Sequence, residues 1–256
     1  MTSWVAKVGV TFKSVDWFVP PYMKGGVIRK LAVDIDSAPT DSKHLALEMG
    51  LRRMYSPRYL AAMFLERYRK VDPVRDFAIP IREGIEASAF GLDHAAVATV
   101  LPVLEGVLRR LAIAGGRDLG NGTRKLVDEI ERRAEHERRA LAQAGGETVI
   151  ANGGLVERID MLEQLRDFMR DRLLVGTNKY TGIDELNRHG ILHGVFGNYG
   201  VETNFQKLVS FLDGLVFSIA PSLAPDETTE SRRFATYLNE LSGMRKLRPT
   251  FGDGSG

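Results

Sequence analysis

One short segment of the chain concentrates residues that can hold a phosphate and move a proton. Residues 186–194 read LNRHGILHG and contain two of the five histidines together with an arginine and an asparagine. The guanidinium of Arg188 offers planar, permanently charged donors that match a phosphate group. The imidazole of His193 can accept or donate a proton near neutral pH. The segment therefore indicates acid–base chemistry at a phosphate.

The spacing of Arg188 and His193 leaves a second interpretation open. Residues five apart are separated by about 140° around a helix, so they do not stack in mid-helix. We predict a short helix over residues 183–193 that ends at Gly194, and at its last turn both side chains could reach one ligand. Alternatively, Arg188 forms a surface ion pair and His193 interacts with the negative end of the helix.

Apolar stripes and start signals predict a helical protein around this segment. Val97, Leu101, Leu104, Leu108 and Leu111 follow the spacing of one helical face, from a start at Asp93 to a stop at Gly115-Gly116. Ser56-Pro57 and Asp72-Pro73 are further start signals, and Pro80 should kink or shorten the helix after the second. The other predicted helices cover residues 57–70, 124–144, 155–175, 201–219 and 227–244.

The first 36 residues have a different pattern. Val8, Val10 and Phe12 alternate with polar or small residues, and Pro20-Pro21 and Gly25-Gly26 interrupt the chain. Period-two alternation between turn residues predicts a small β-hairpin or an extended arm.

Composition excludes several kinds of chemistry. The 256 residues include no cysteine, which rules out disulfides, cysteine-based zinc or iron–sulfur sites and thiol nucleophiles. No long apolar stretch and no secretory signal are visible, so we expect a cytoplasmic protein without a membrane segment. The net charge of +2 gives no sign of strong steering toward nucleic acid, although it leaves a local basic groove open. The glycine-rich loops lack a phosphate-binding motif, so we predict no nucleotide cofactor.

Two further clusters have alternative interpretations. His189 and His193 have the i,i+4 spacing of paired zinc ligands, but a third ligand, such as Glu202 or Asp213, would be needed. No glutamate follows His189, as the metalloprotease motif requires. Aromatic residues on one predicted helix are expected to be core rather than a base-stacking platform; they are Tyr55, Tyr59, Phe64 and Tyr68.

Residues 188–193, the loop after them and the helix over 201–215 resemble the C-terminal signature of the HEPN superfamily. That signature is an arginine, a polar residue, three more residues and a histidine, with His189 here in the polar position. The upstream stretch 100–112 is similar to an earlier core helix of the family. It carries the Glu-x3-Lys/Arg-Arg pattern that some HEPN ribonucleases place beside the motif, as Glu105, Arg109 and Arg110. The resemblance covers about residues 91–222 and is closest to the bacterial branch with Asn-Arg-x4-His-Gly.

The resemblance implies an all-α bundle that dimerises, with the motifs of both copies lining one cleft. It also implies metal-independent RNA cleavage, in which the 2′-OH attacks and leaves 2′,3′-cyclic phosphate and 5′-OH ends. His193 would be the general acid or base, Arg188 would stabilise the phosphate charge, and His189 and Asn187 would orient the site. Many relatives act in toxin, phage-defence or RNA-processing systems, so an antitoxin or regulatory partner is an expectation here. Other HEPN domains are inactive, and a non-catalytic dimerisation or RNA-binding module is the alternative.

These patterns divide the chain into five predicted regions. They are an N-terminal arm over 1–36, a helical region over 37–90, a HEPN-like bundle over 91–224, a C-terminal helix over 225–244 and a disordered tail over 245–256.

Overall fold

The computed structural model describes residues 3–117, 122, 124–143, 149–221, 225–245 and 247. Over these residues the protein is all-α and contains no strand, which confirms the all-α part of the predicted fold class. Within the same part of the chain, no helix is both long and apolar enough to cross a membrane. The predicted disordered tail lies almost entirely outside the described residues, apart from Arg245 and Leu247.

The helices follow one another with short connections. They are α1 (Trp4–Lys13), α2 (Gly25–Ser37), α3 (Lys43–Met54), α4 (Pro57–Met63), α5 (Ala78–Phe90), α6 (Asp93–Ala114), α7 (Arg124–Gln143), α8 (Val149–Phe168), α9 (Arg188–Leu192), α10 (Glu202–Ile219) and α11 (Thr229–Arg245). Single 3-10 turns lie at Thr40–Ser42, Val74–Phe77 and Thr177–Lys179, and π-helical turns extend α4 and α8 over Phe64–Tyr68 and Met169–Leu173.

The prediction of a β-hairpin or extended arm at the N-terminus is wrong, because α1 and α2 are helices. The alternating residues of α1 also contain a helical face, and the structure buries Val5, Gly9 and Phe12 on that face. Val10, which fits only the period-two pattern, remains 73% exposed. The hydroxyl of Ser3 accepts a hydrogen bond from Ala6 N at 3.0 Å and caps the helix.

The start signal at Ser56-Pro57 is confirmed, whereas the chain after Asp72-Pro73 forms a 3-10 turn over Val74–Phe77 and becomes α-helical only at Ala78. The hydroxyl of Ser56 accepts a hydrogen bond from Tyr59 N at 3.4 Å, and Pro57 is the first residue of α4. Pro80 lies in the first turn of α5, where no backbone N–H is needed for the helical pattern. It therefore neither kinks nor ends the helix.

Helix α10 is the centre of the bundle. It packs against α3, α6 and α8, and most of its residues are buried. The predicted stripes of α6 and α10 both lie in the core, including Leu104, Leu108, Phe205 and Leu212. One buried apolar cluster extends from Val5 in α1 to Leu238 in α11, so the N-terminal helices share their core with the rest of the protein.

A glycine allows the close contact between α5 and α6. A Cβ atom added at Gly84 would lie 2.5 Å from a side-chain methyl of Val100 on α6. We therefore expect Gly84→Ala to lower the free energy of unfolding by about 1–3 kcal/mol, because an extra methyl group overpacks the core. Gly26→Ala is the matched control, since nothing lies within 4 Å of a Cβ at that position. Urea unfolding of both variants measures the difference, and equal stabilities would contradict the close contact.

Candidate active site

Helix α9 is shorter than predicted and consists of one turn over Arg188–Leu192. Glu185 adopts a left-handed backbone conformation with φ 53°, which stops the helix from starting earlier. Asp184 is held just before it by an ion pair with Lys207 of α10 and accepts a hydrogen bond from Leu186 N at 3.2 Å. Arg188 is therefore the first residue of the helix and His193 is its C-cap.

Asn187 fixes α9 to the segment that follows α8. Its side chain is fully buried, and its Oδ1 accepts a hydrogen bond from Gly190 N at 2.9 Å. Its Nδ2 donates to the carbonyl oxygens of Arg172 and Val175 at 3.0 and 2.8 Å. These three hydrogen bonds to backbone groups fix the position of α9 relative to the segment after α8.

Loss of this amide is expected to destabilise the protein. Asn187→Ala removes the helix cap and leaves the carbonyl oxygens of Arg172 and Val175 without this donor, so we expect about 3 kcal/mol lower free energy of unfolding. Asn178→Ala, at an exposed position nearby, should change it by no more than about 0.5 kcal/mol. Urea unfolding is the measurement, and equal effects of the two substitutions would contradict the structural role of Asn187.

Glu105 of α6 joins Arg188 and Arg109 in one cluster. Arg188 Nε lies 2.6 Å from Glu105 Oε2, and Arg109 Nη2 lies 2.6 Å from Glu105 Oε1. Burial alone would raise the pKa of Glu105, but hydrogen bonds and charge interactions with the two arginines outweigh it and leave the pKa below its ordinary value. The carboxylate is ionised at neutral pH, and the three side chains together carry one net positive charge.

Arg110, the third residue of the predicted supporting pattern, is not part of this cluster. Its guanidinium forms an ion pair with Asp76 and lies over the ring of Phe77, 4.5 Å from the centroid. Consecutive residues point about 100° apart on a helix, and here Arg109 is directed to Glu105 and Arg110 to Asp76.

His189 and His193 lie side by side on a shallow, open concavity. Their rings are stacked with centroids 6.1 Å apart and planes 9° apart. The concavity has a volume of about 390 Å³, and Thr177, Asn178 and Val195 also line it. Partial burial lowers the pKa of His189, and the charges of Arg188 and His193 lower it further. The lowered pKa favours the neutral imidazole of His189, which lies next to the exposed ring of His193.

The loop after α9 is held by residues that the sequence did not identify as part of a site. His94 at the start of α6 hydrogen-bonds Gly197 O at 2.8 Å, and its ring packs on that of Tyr199. Asn198 N donates to the carboxylate of Glu185 at 2.7 Å. Gly190 lets the ring of Phe196 lie directly against α9, since any Cβ there would collide with that ring.

The structure separates the proposed third metal ligands from the two histidines. Glu202 pairs with Arg52 and Arg245, and Asp213 is buried among tyrosines in the core. Within the described part of the chain, no group of three or more His, Cys, Asp or Glu side chains could hold a metal ion.

Comparisons of the chain with protein-family models, with curated proteins and with solved structures found no match.

Proposed function

We propose that this protein is a metal-independent endoribonuclease. The observation that supports the proposal is the meeting of Glu105 and Arg109 with Arg188, although Glu105 and Arg188 are 83 residues apart in sequence. These are two patterns that certain HEPN ribonucleases combine at one site. Arg188 is the first residue of α9, the same helix turn that carries His189 and ends at His193. The cluster with Glu105 therefore places a guanidinium beside two imidazoles.

The proposed reaction uses the ribose of the substrate as the nucleophile. An imidazole takes the proton of the 2′-OH, the 2′ oxygen forms a bond to the adjacent phosphorus, and the bond to the 5′ oxygen breaks. The 5′ oxygen leaves with a proton, so the products are a 2′,3′-cyclic phosphate and a 5′-OH. We assign the proton transfer to His193, which is exposed, and the stabilisation of phosphate charge to Arg188 with Arg109 beside it. His189 and Asn187 position these groups.

The proposal includes a homodimer in which two copies of α9 face one RNA strand. Leu192 and Val195, next to the candidate site, are large apolar residues exposed in the single chain. A second copy packed there would cover them and would bring two further imidazoles to the cleft. The molar mass in solution, measured by light scattering, checks this part of the proposal.

The experiment is an RNA cleavage assay in excess EDTA with analysis of the product ends. We expect the wild type to cleave and to leave cyclic phosphate, and His193→Ala to cleave at least about 100-fold more slowly. His136→Ala is the control, because His136 is exposed on α7 and contributes nothing to the cluster. Undiminished cleavage by His193→Ala, or loss of cleavage on chelation, would overturn the proposal. RNA binding without cleavage would favour the non-catalytic RNA-binding module instead.

A further inference from the structure

A second cavity lies away from the candidate active site, between α1 and α8. Its volume is about 570 Å³, within the range of pockets that hold small organic ligands. Its apolar lining comes from Ala6, Gly9 and Val10 of α1 and from Trp17 and Phe168. The two rings are in edge-to-face contact with centroids 4.6 Å apart, and both are largely buried, so they offer a ligand a small but rigid aromatic contact.

The polar lining of this cavity contains five acidic and two basic residues. One face of α8 and its π-helical extension presents four carboxylates at helical spacing: Asp160, Glu163, Asp167 and Asp171. A fifth, Asp16, comes from the turn after α1, and only Lys13 and Arg172 among the lining residues are basic. Whether this wall attracts a cation therefore depends on which of the carboxylates are already neutralised by arginine side chains.

Asp160 is the carboxylate best placed to hold a ligand cation. Four of the lining carboxylates are in ion pairs: Asp16 with Arg172, Glu163 with Arg138, Asp167 with Arg166 and Arg170, and Asp171 with Arg170. No ion pair to Asp160 occurs within the described part of the chain, and its contact there is a hydrogen bond from the hydroxyl of Ser3. A part-buried carboxylate without a cation gains most from a charged partner.

We propose that this cavity is a binding site for a small organic cation with an apolar, preferably aromatic, body. The ammonium or guanidinium group lies at Asp160, and the body lies between Val10 and the rings of Trp17 and Phe168. The site is separate from the RNA site, although one segment borders both. Arg172 lines the cavity with its side chain, and its backbone carbonyl accepts the hydrogen bond of Asn187.

Binding is tested by calorimetry with tryptamine as the probe and tryptophol, its uncharged alcohol analogue, as the comparison. We expect tryptamine to bind at least about fivefold more tightly, because one ion pair in a partly exposed setting contributes about that factor. Asp160→Asn should remove the preference, and Asp128→Asn, at an exposed position on α7, should keep it.

Two tryptophan substitutions on α1 test whether the ligand binds in this cavity, independently of charge. Ala6→Trp should fill the cavity and abolish binding of both compounds, whereas Lys7→Trp, on the exposed side of the same helix, should leave binding unchanged. Thermal melts confirm that each variant is folded. Equal affinity for amine and alcohol, no binding of tryptamine at millimolar concentration, or full binding by Ala6→Trp would each overturn the proposal. None of these results depends on RNA cleavage.

Discussion

Replacement of Arg188 by alanine is expected to slow RNA cleavage by at least about 100-fold, because the site loses the cation that stabilises charge on the reacting phosphate. Arg188→Lys should retain part of the activity, since lysine keeps the charge but lacks the planar pair of donors. Single-turnover rates at saturating RNA measure the chemical step apart from binding.

The fold should tolerate the loss of Arg188. Glu105 keeps two hydrogen bonds from Arg109, at 3.0 and 2.6 Å, so the carboxylate is not left without a cation. We therefore expect a change of about 1 kcal/mol or less in the free energy of unfolding.

Arg110→Ala is the matched control for this prediction. Arg110 lies next to Arg109 on α6, but its guanidinium pairs with Asp76 outside the cluster. Like Arg188→Ala, Arg110→Ala removes one positive charge, but it does so outside the cluster. We therefore expect it to cleave RNA like the wild type. An equal loss of activity in Arg110→Ala would show that net charge, rather than the placed guanidinium, carries the effect.

The sequence predicts the core helices well because their stripes are long and unambiguous. Leu104 and Leu108 of α6 are buried as the periodicity requires. The sequence-based prediction fails in α1, because its ten residues satisfy both a strand pattern and a helix pattern. Packing against α8 decides between the two. Propensity over so short a stretch is a weak guide when tertiary contacts compete.

The sequence indicates the Arg-x4-His segment as a candidate, but the contacts around it come from the structure. Glu105 lies between Arg188 and Arg109, whereas Arg110 pairs with Asp76. Thr177 and Asn178 carry no local signal, because the buried amide of Asn187 brings their segment to the histidines. Such contacts depend on the tertiary structure and leave no pattern in the neighbouring residues.

A large effect of pH on stability is expected from Asp213. This carboxyl lies on α10 and is fully buried, with Tyr59 Oη donating to it at 2.7 Å and Tyr68 Oη donating to its other oxygen. Burial raises the pKa of Asp213 from 3.8 to about 7, even though the tyrosine hydrogen bonds lower it. Aromatic side chains in this part of the chain thus belong to the core, as the sequence analysis expected, and they surround a titrating group.

The direction of the effect follows from the two pKa values. Between about pH 4 and pH 7 the unfolded chain has lost this proton while the folded protein retains it, so the folded state loses stability as the pH rises through this window. The contribution amounts to about 4 kcal/mol across the window. Asp213→Asn is uncharged at every pH and lacks this contribution. Its stability relative to the wild type should therefore rise by that amount between pH 4 and pH 7.5.

Urea unfolding at several pH values measures the difference between the two curves. Asp128→Asn, which removes an exposed carboxylate, should give a curve parallel to that of the wild type. Tyr68→Phe removes a hydrogen bond that favours the ionised carboxylate, so it should move the upper end of the window to higher pH. Parallel curves for Asp213→Asn and the wild type would show that Asp213 is ionised in the folded protein throughout, with its charge satisfied by the tyrosines.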